Sequence, residues 1–250
     1  PLFYRDTDLE VKERNMTDCR NDKPEGIPEK AVVLLSGGMD SATLLHECHS
    51  QGFACSALGF DYGQRHLKEL AAANKVAAYL AVPFRIVSLA AVHDAVLSGA
   101  NSSQTNPDVP VPHGHYAAES MKLTVVPNRN MMMLSVAAAY AITIGASTVA
   151  YAAHTGDHAI YPDCRPEFIQ AMYSALRLCH FDNGIRLYTP YDTMSKADIA
   201  KDGEQLGVPY SLTWSCYEGG EKHCGLCGTC VERKEAFQLA EVPDPTEYAS

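Results

Sequence analysis

Ala31-Val32-Val33-Leu34-Leu35-Ser36-Gly37-Gly38-Met39-Asp40-Ser41 runs from five apolar residues through a glycine pair into the helical pattern Ala42-Thr43-Leu44-Leu45-His46-Glu47-Cys48. A short apolar run bounded by glycine reads as a buried strand. The chain then turns into a helix whose first N–H groups lack intrahelical partners and carry partial positive charge. Such a turn holds an anion, phosphate above all. Gly37 and Gly38 have no Cβ and permit close backbone approach, while Ser36 and Ser41 add hydroxyl donors. No Gly-Lys-Ser/Thr follows the glycines, so the turn is not a Walker loop.

Outward from this turn, strands and helices alternate. Strand 31–35 leads into helix 40–50, closed by Gly52, and strand 54–60 ends in Phe60-Asp61-Tyr62-Gly63. Leu67, Leu70, Ala71, Ala77 and Leu80 mark a second helix, and 84–89 reads as a third strand. Residues 98–127, rich in Ser, Asn, Pro and Gly, form a long loop, which in a compact domain is usually functional or disordered. A buried helix over 130–144 is closed by Gly145. Strand 148–153, helix 166–180, strand 185–189 and helix 195–206 complete the series. Ser195 with Asp198 makes an N-cap pair, and Gly207 the C′ residue. The series predicts an α/β fold, a Rossmann-like parallel sheet with helices on both faces. Ligands of such sheets bind beyond the carboxyl ends of the strands. The expected organisation is a mobile polar leader over 1–29, a nucleotide-binding domain over 30–207 and a metal-binding module over 208–250.

The net charge of −10, with Lys and Arg at 20 of 250 residues and no dense basic run, disfavours a nucleic-acid partner. No stretch approaches the ~20 apolar residues of a membrane span, and the first thirty residues are too polar for a signal peptide. A reducing, cytoplasmic setting is expected, so the nine cysteines are not read as a disulfide framework. Cys19, Cys48, Cys55, Cys164 and Cys179 are scattered. Cys216, Cys224, Cys227 and Cys230 are not. They are spaced C-x7-C-x2-C-x2-C among glycines at 219, 220, 225 and 228. Four thiolates converging on one ion leave no open position, which suits structural Zn²⁺; an iron–sulfur cluster is the rival.

Other candidates sit at predicted strand ends and helix starts. Asp61, Gln64 and Arg65 follow the second strand, where they can reach phosphate or a base edge. Pro127-Asn128-Arg129-Asn130 combines a helix N-terminus with an arginine, an anion site. Tyr161-Pro162-Asp163-Cys164-Arg165-Pro166 opens the next helix; Asp163 could read an amidine-like base edge or serve as a cap. Lys196 lies in a first helical turn, against the helix dipole, which suggests a task such as reaching phosphate.

The string Ser36–Ser41 resembles the PP-loop of ATP pyrophosphatases, which cleave ATP between the α and β phosphates. In order along the chain come Leu35–Ser41, Phe60–His66, Val126–Asn130, Tyr161–Arg165 and Ser215-Cys216-Tyr217 through Cys230. This series is similar to the 7-cyano-7-deazaguanine synthase family of the queuosine pathway, from about residue 31 onward. The resemblance implies an ATP-dependent ligase acting on 7-carboxy-7-deazaguanine and ammonia through an adenylate and an amide. It implies ATP binding across Leu35, Ser36, Gly37, Gly38, Met39, Asp40, Ser41, Ala42, Thr43, Leu44 and Leu45, with Mg²⁺ accompanying ATP. It implies catalytic roles for Asp40, Ser41 and Lys196, and substrate contacts from Asp61, Gln64, Arg65, Arg129, Tyr161, Asp163 and Arg165. A homodimer and one Zn²⁺ per chain on the four cysteines are also implied. The rival readings are a deazapurine-acid ligase with another amine acceptor, a zinc-containing PP-loop enzyme of tRNA, and a zinc-ribbon adaptor with a relic nucleotide site.

Overall fold

The computed structural model describes residues 28–181 and 184–250; the leader expected over 1–29 lies outside them as far as residue 27. Five strands form one sheet: β1 (Lys30–Leu34), β2 (Ala54–Asp61), β3 (Phe84–Ser88), β4 (Thr148–Ala150) and β5 (Arg186–Tyr188). All neighbouring pairs are parallel, in the order β3-β2-β1-β4-β5. The connections run outward from β1 on both sides, so the switch point lies between β1 and β4. That crevice is where a doubly wound sheet takes its ligand.

Alternation along β1 builds two cores. Ala31 and Val33 face a cluster containing Leu44, Leu45, Val76, Ile199 and Phe237. Val32 and Leu34 face the opposite cluster, with Leu134, Ala138, Met172 and Leu176. The first layer is made by α1 (Met39–Ser50), α2 (Lys68–Tyr79), α6 (Lys196–Gln205) and α7 (Gly228–Ala240). The second is made by α4 (Arg129–Thr143) and α5 (Pro166–Arg177). A single turn, α3 (Ala90–Val92), runs on into a π-helical stretch at His93–Leu97. The expected parallel α/β sheet with helices on both faces is therefore present.

Two features depart from expectation. The expected strand 148–153 ends at Ala150, because the chain leaves the sheet to build the cleft with Tyr151 and Ala152. Helix α7 was not anticipated; it packs on α6 and buries Ala236 and Phe237 in the same core as α1, while Cys216, Cys227 and Cys230 form a small cluster of their own. Around the sheet, Ser195 and Asp198 form a reciprocal capping box at α6, and Gly207 takes φ +69° after its last turn, as expected. Among the described residues no helix is long and apolar enough to cross a membrane.

Candidate active site

The phosphate loop is closed on itself by its serines. Ser41 Oγ accepts from the N–H groups of Ser36 (3.2 Å) and Gly37 (3.3 Å) and donates to Gly38 O (3.2 Å). Ser36 Oγ lies 3.0 Å from Ser41 Oγ and accepts from the Gly38 N–H. The two glycines differ. Gly37 has φ +95°, and a Cβ there would overlap the backbone oxygen of Glu69 and lie 2.8 Å from Ala73 N. Its close approach is therefore to α2, not to a ligand. Gly38 has ordinary room, with Ser36 Oγ nearest at 3.5 Å, and it lines the cleft. Gly37→Ala should cost about 3 kcal/mol, combining left-handed strain with displacement of α2. Gly38→Ala should stay within about 1 kcal/mol. Urea unfolding midpoints check the pair, and equal midpoints would refute the distinction.

Beside the loop lies a network of charge. Lys196 Nζ is 3.3 Å from Asp40 Oδ2 and 2.5 Å from Glu232 Oε2. Burial alone would depress the Lys196 pKa, but Asp40, Glu232 and Asp157 outweigh it and hold the ammonium well above its usual range. This explains a lysine in a first helical turn: carboxylates from α1 and α7 offset the unfavourable dipole. His154 Nδ1 accepts the Gly156 N–H at 3.1 Å, so Nε2 carries the proton. It directs that proton at Asp157 Oδ2 (3.5 Å) and Asp40 Oδ2 (3.8 Å). Asp40 Oδ1 is buried with no hydrogen-bond partner among the described residues.

Across the cleft, Arg129 opens α4 among four tyrosines. Its guanidinium lies 5.6 Å from the Tyr62 ring centre, and Tyr62, Tyr151, Tyr161 and Tyr217 are its strongest electrostatic neighbours. Burial pushes the Tyr62 phenol up to about 12. Tyr161 Oη is tied to Thr124 Oγ1 (2.6 Å) and Tyr217 Oη (3.3 Å), which fixes this wall. Arg129 Nε donates to Asn130 Oδ1, and no carboxylate lies within ion-pair distance of its guanidinium among the described residues. A cation so placed can take an anion or a carbonyl.

The cysteine module closes the cleft. The Sγ atoms of Cys216, Cys224, Cys227 and Cys230 lie within 4.8 Å of one another, with Cys224 and Cys230 at 3.9 Å. Tetrahedral thiolates at about 2.3 Å from an ion stand about 3.8 Å apart. The Cys224 N–H donates to Cys216 Sγ, and the N–H groups of Leu226 and Cys227 donate to Cys224 Sγ. The module reaches the phosphate loop directly, through Trp214 N–H to Gly37 O at 2.9 Å. It also contributes Ser215, Tyr217, Thr229 and Glu232 to the cleft lining.

The expected site residues divide. Leu35, Ser36, Gly38, Asp40, Ser41, Gln64, Arg129, Tyr161 and Lys196 line the cleft. Met39, Ala42, Leu44 and Leu45 are core residues of α1, and Thr43 bonds Met39 O and Tyr210 Oη, so helical periodicity turns the second half of the expected ATP segment away from the ligand. Four expected substrate contacts lie elsewhere. Asp61 closes its own turn onto the Gly63 N–H. Arg65 donates to the carbonyls of Asn106, Pro107 and Val109 and pins the long loop. Asp163 accepts the Asn130 N–H at 3.0 Å, capping α4, whose own N-cap residue Asn128 is left-handed and makes no side-chain cap. Arg165 is exposed and donates to His158 O. Gln64 bonds Tyr62 N–H and Phe60 O, so it shapes the turn as well as lining the cleft. Sequence reasoning missed Glu69, Tyr62, Tyr151, His154, Tyr217 and Glu232. Only Tyr62 and Tyr217 stood inside motifs that had been singled out.

Known proteins resemble this chain along most of its length. The family model of queuosine biosynthesis protein QueC matches residues 30–241. A 7-cyano-7-deazaguanine synthase of Methanoregula boonei is 57% identical over 88% of this chain and 99% of its own. The protein of that name from Caldicellulosiruptor bescii is 53% identical over 88% of this chain and 97% of its own. Among solved structures, an NH3-dependent NAD synthetase from Campylobacter jejuni aligns with TM-score 0.46 at 15% identity, over 75% of this chain and 68% of that one. The U34-tRNA thiolase NcsA from Methanococcus maripaludis, solved with its [4Fe-4S] cluster, aligns with TM-score 0.46 at 15% identity, over 90% of this chain and 75% of that one.

Proposed function

The chain belongs to the family of queuosine biosynthesis protein QueC, and from that premise we propose that it converts 7-carboxy-7-deazaguanine and ammonia to 7-cyano-7-deazaguanine at the expense of ATP. The observation that carries this reading is the juxtaposition, in one cleft at the β1/β4 switch point, of the phosphate loop and the tyrosine-lined Arg129. One end suits a polyphosphate and the other a flat, polar heterocycle.

In the first half-reaction, a carboxylate oxygen of the acid attacks the α-phosphorus of ATP, and pyrophosphate leaves. The N–H groups at the start of α1 and the Ser36 hydroxyl would meet the leaving group, while Ser41 Oγ holds the loop in shape through Ser36 N–H, Gly37 N–H and Gly38 O. Lys196 adds positive charge where negative charge develops, and such preorganised stabilisation is the main catalytic resource. Ammonia then attacks the acyl carbon and expels AMP, giving the amide. In the second half-reaction the amide oxygen attacks another ATP. Loss of that oxygen as AMP, with both remaining N–H protons, leaves the nitrile.

Mg²⁺ would be held by Asp40, whose unpartnered Oδ1 fits a hard cation shared with ATP oxygens, and it would offset polyphosphate charge. The cysteine cluster fits one structural Zn²⁺ by its sulfur spacing. Free ammonia is the nitrogen source in this reading, since hydrolysis of glutamine needs an activated nucleophile. Burial instead pushes the thiols of Cys48, Cys164 and Cys55 up, the last to about 11. The reading includes a homodimer, on the family resemblance, and a cytoplasmic enzyme of small molecules without nucleic acid, on its charge and cysteine usage.

The test is incubation of the full chain with ATP, the acid and ¹⁵N-ammonium, read by mass spectrometry. Labelled nitrile should form, with one AMP released for the amide and a second for the nitrile. AMP release with neither product would assign the acyl adenylate to another amine acceptor. Absence of AMP would refute the reading.

A further inference from the structure

We propose that Glu69 is the residue that reads the amino-pyrimidinone edge of the bound heterocycle, an assignment that rests on the function proposed above. Glu69 is the second residue of α2 and lines the cleft half-buried. Its carboxylate makes no hydrogen bond or ion pair with any described residue. It does not cap its own helix either, since α2 has no side-chain cap. A carboxylate that faces a cleft without protein donors is free to take them from a ligand, and a ligand that closes the cleft must bring them.

The position of Glu69 is rigid. Its backbone oxygen occupies the space that a Cβ on Gly37 would need, so the first turn of α2 is seated against the phosphate loop. Around the carboxyl stand Tyr62 from the end of β2, Tyr217 from the cysteine module and Arg129 from α4. Burial, opposed by Arg129, lifts the Glu69 pKa to about 7. The group is therefore poised between its two forms, and N–H donors would draw it to the charged one.

The chemistry of these neighbours selects the ligand. An amino-pyrimidinone ring presents a ring N–H and an exocyclic NH₂ side by side, two donors that match the two oxygens of one carboxylate. Next to them it presents a carbonyl, which matches the donors of Arg129. Its flat faces suit tyrosine rings. Against the charged carboxylate, which Arg129 favours, an adenine edge places an acceptor beside its single amino group, so it satisfies one oxygen and opposes the other. The heterocycle of the acid, rather than the adenine of ATP, is the complement of Glu69.

Glu69→Gln keeps size and shape but replaces one acceptor with a donor. Isothermal titration of wild type and variant would use three probes: 7-carboxy-7-deazaguanine, its analogue lacking the 2-amino group, and a non-hydrolysable ATP analogue. Wild type should prefer the amino compound over the des-amino compound by tenfold or more. In the variant, affinity for the amino compound should fall about 10- to 100-fold, the preference should vanish and nucleotide affinity should stay within twofold, which also reports an intact fold. Unchanged affinity and preference in the variant would overturn the assignment alone. Loss of nucleotide affinity with the acid unaffected would give Glu69 to ATP and also overturn it. A wild-type chain that binds nucleotide but not the acid would overturn the functional reading and this assignment together.

Discussion

Asp40→Asn should slow AMP formation by about 10²–10³-fold, while the melting temperature stays within a few degrees of wild type. The fold should survive because Lys196 keeps Glu232, its nearer partner at 2.5 Å, when Asp40 loses its charge. The rate should not survive, because Asp40 does two things at the loop. It lies 3.3 Å from Lys196 Nζ, and in the proposed reading its unpartnered Oδ1 would hold the cation that accompanies ATP. Lys196→Met makes the complementary case. It should abolish turnover to at least the same extent, and it should also destabilise the chain by about 3–5 kcal/mol, because two poorly hydrated carboxylates lose the cation between them. The readouts are pyrophosphate release for rate and urea titration for stability. Near wild-type rates in Asp40→Asn would remove the charge network from the catalytic machinery.

The second large effect belongs to the cysteines. Metal analysis should find one zinc per chain, and Cys227→Ser should lose it together with the folded C-terminal module. Structural zinc sites contribute apparent binding free energies of about 10–16 kcal/mol, as large as the whole stability of a typical domain, about 5–15 kcal/mol. Trp214 is the only tryptophan in the chain and makes this visible. Its indole N–H bonds Cys216 O and its ring lies 4.2 Å from that of His223, so its emission should shift to the red when the module opens. Activity should fall with it, since Tyr217, Thr229 and Glu232 leave the cleft. Iron in place of zinc, or a metal-free preparation with native fluorescence and full activity, would refute the assignment.

Much of the fold was legible because its signals are local. Five apolar residues before Ser36, glycines at helix ends and the Ser195/Asp198 box each name an element without reference to the rest of the chain. Helix α7 was obscured because two of the four cysteines fall at its start. Cys227 is its N-cap and Cys230 lies in its first turn, so the stretch read as a metal loop. The site was legible in part, at the loop after β1 and at the helix starts that carry Arg129, Tyr161 and Lys196. Asp163 stands beside cleft residues in sequence, yet its carboxylate turns to the start of α4, and no periodicity in 161–166 distinguishes a cap from a ligand contact. Glu69 and Glu232 failed in the opposite sense. Each is a charged residue in a helical pattern, a type that ordinarily faces water. What draws them inward is the seating of α2 against Gly37 and of α7 against Lys196 of α6, and both contacts are properties of the assembled sheet.

The hydrogen bond from Trp214 N–H to Gly37 O has a bearing on how the protein is made. The phosphate loop is synthesised well before the residues that pack against it, Lys196, Trp214 and Glu232. Domains generally fold from the N-terminus as they are made, but long-range closures of this kind must wait for the last segment. Chains cut short before residue 214 would carry a complete nucleotide motif and no completed nucleotide site. In such chains the Gly37 carbonyl lacks the N–H that Trp214 supplies, so the loop is left without its tie to the cysteine module.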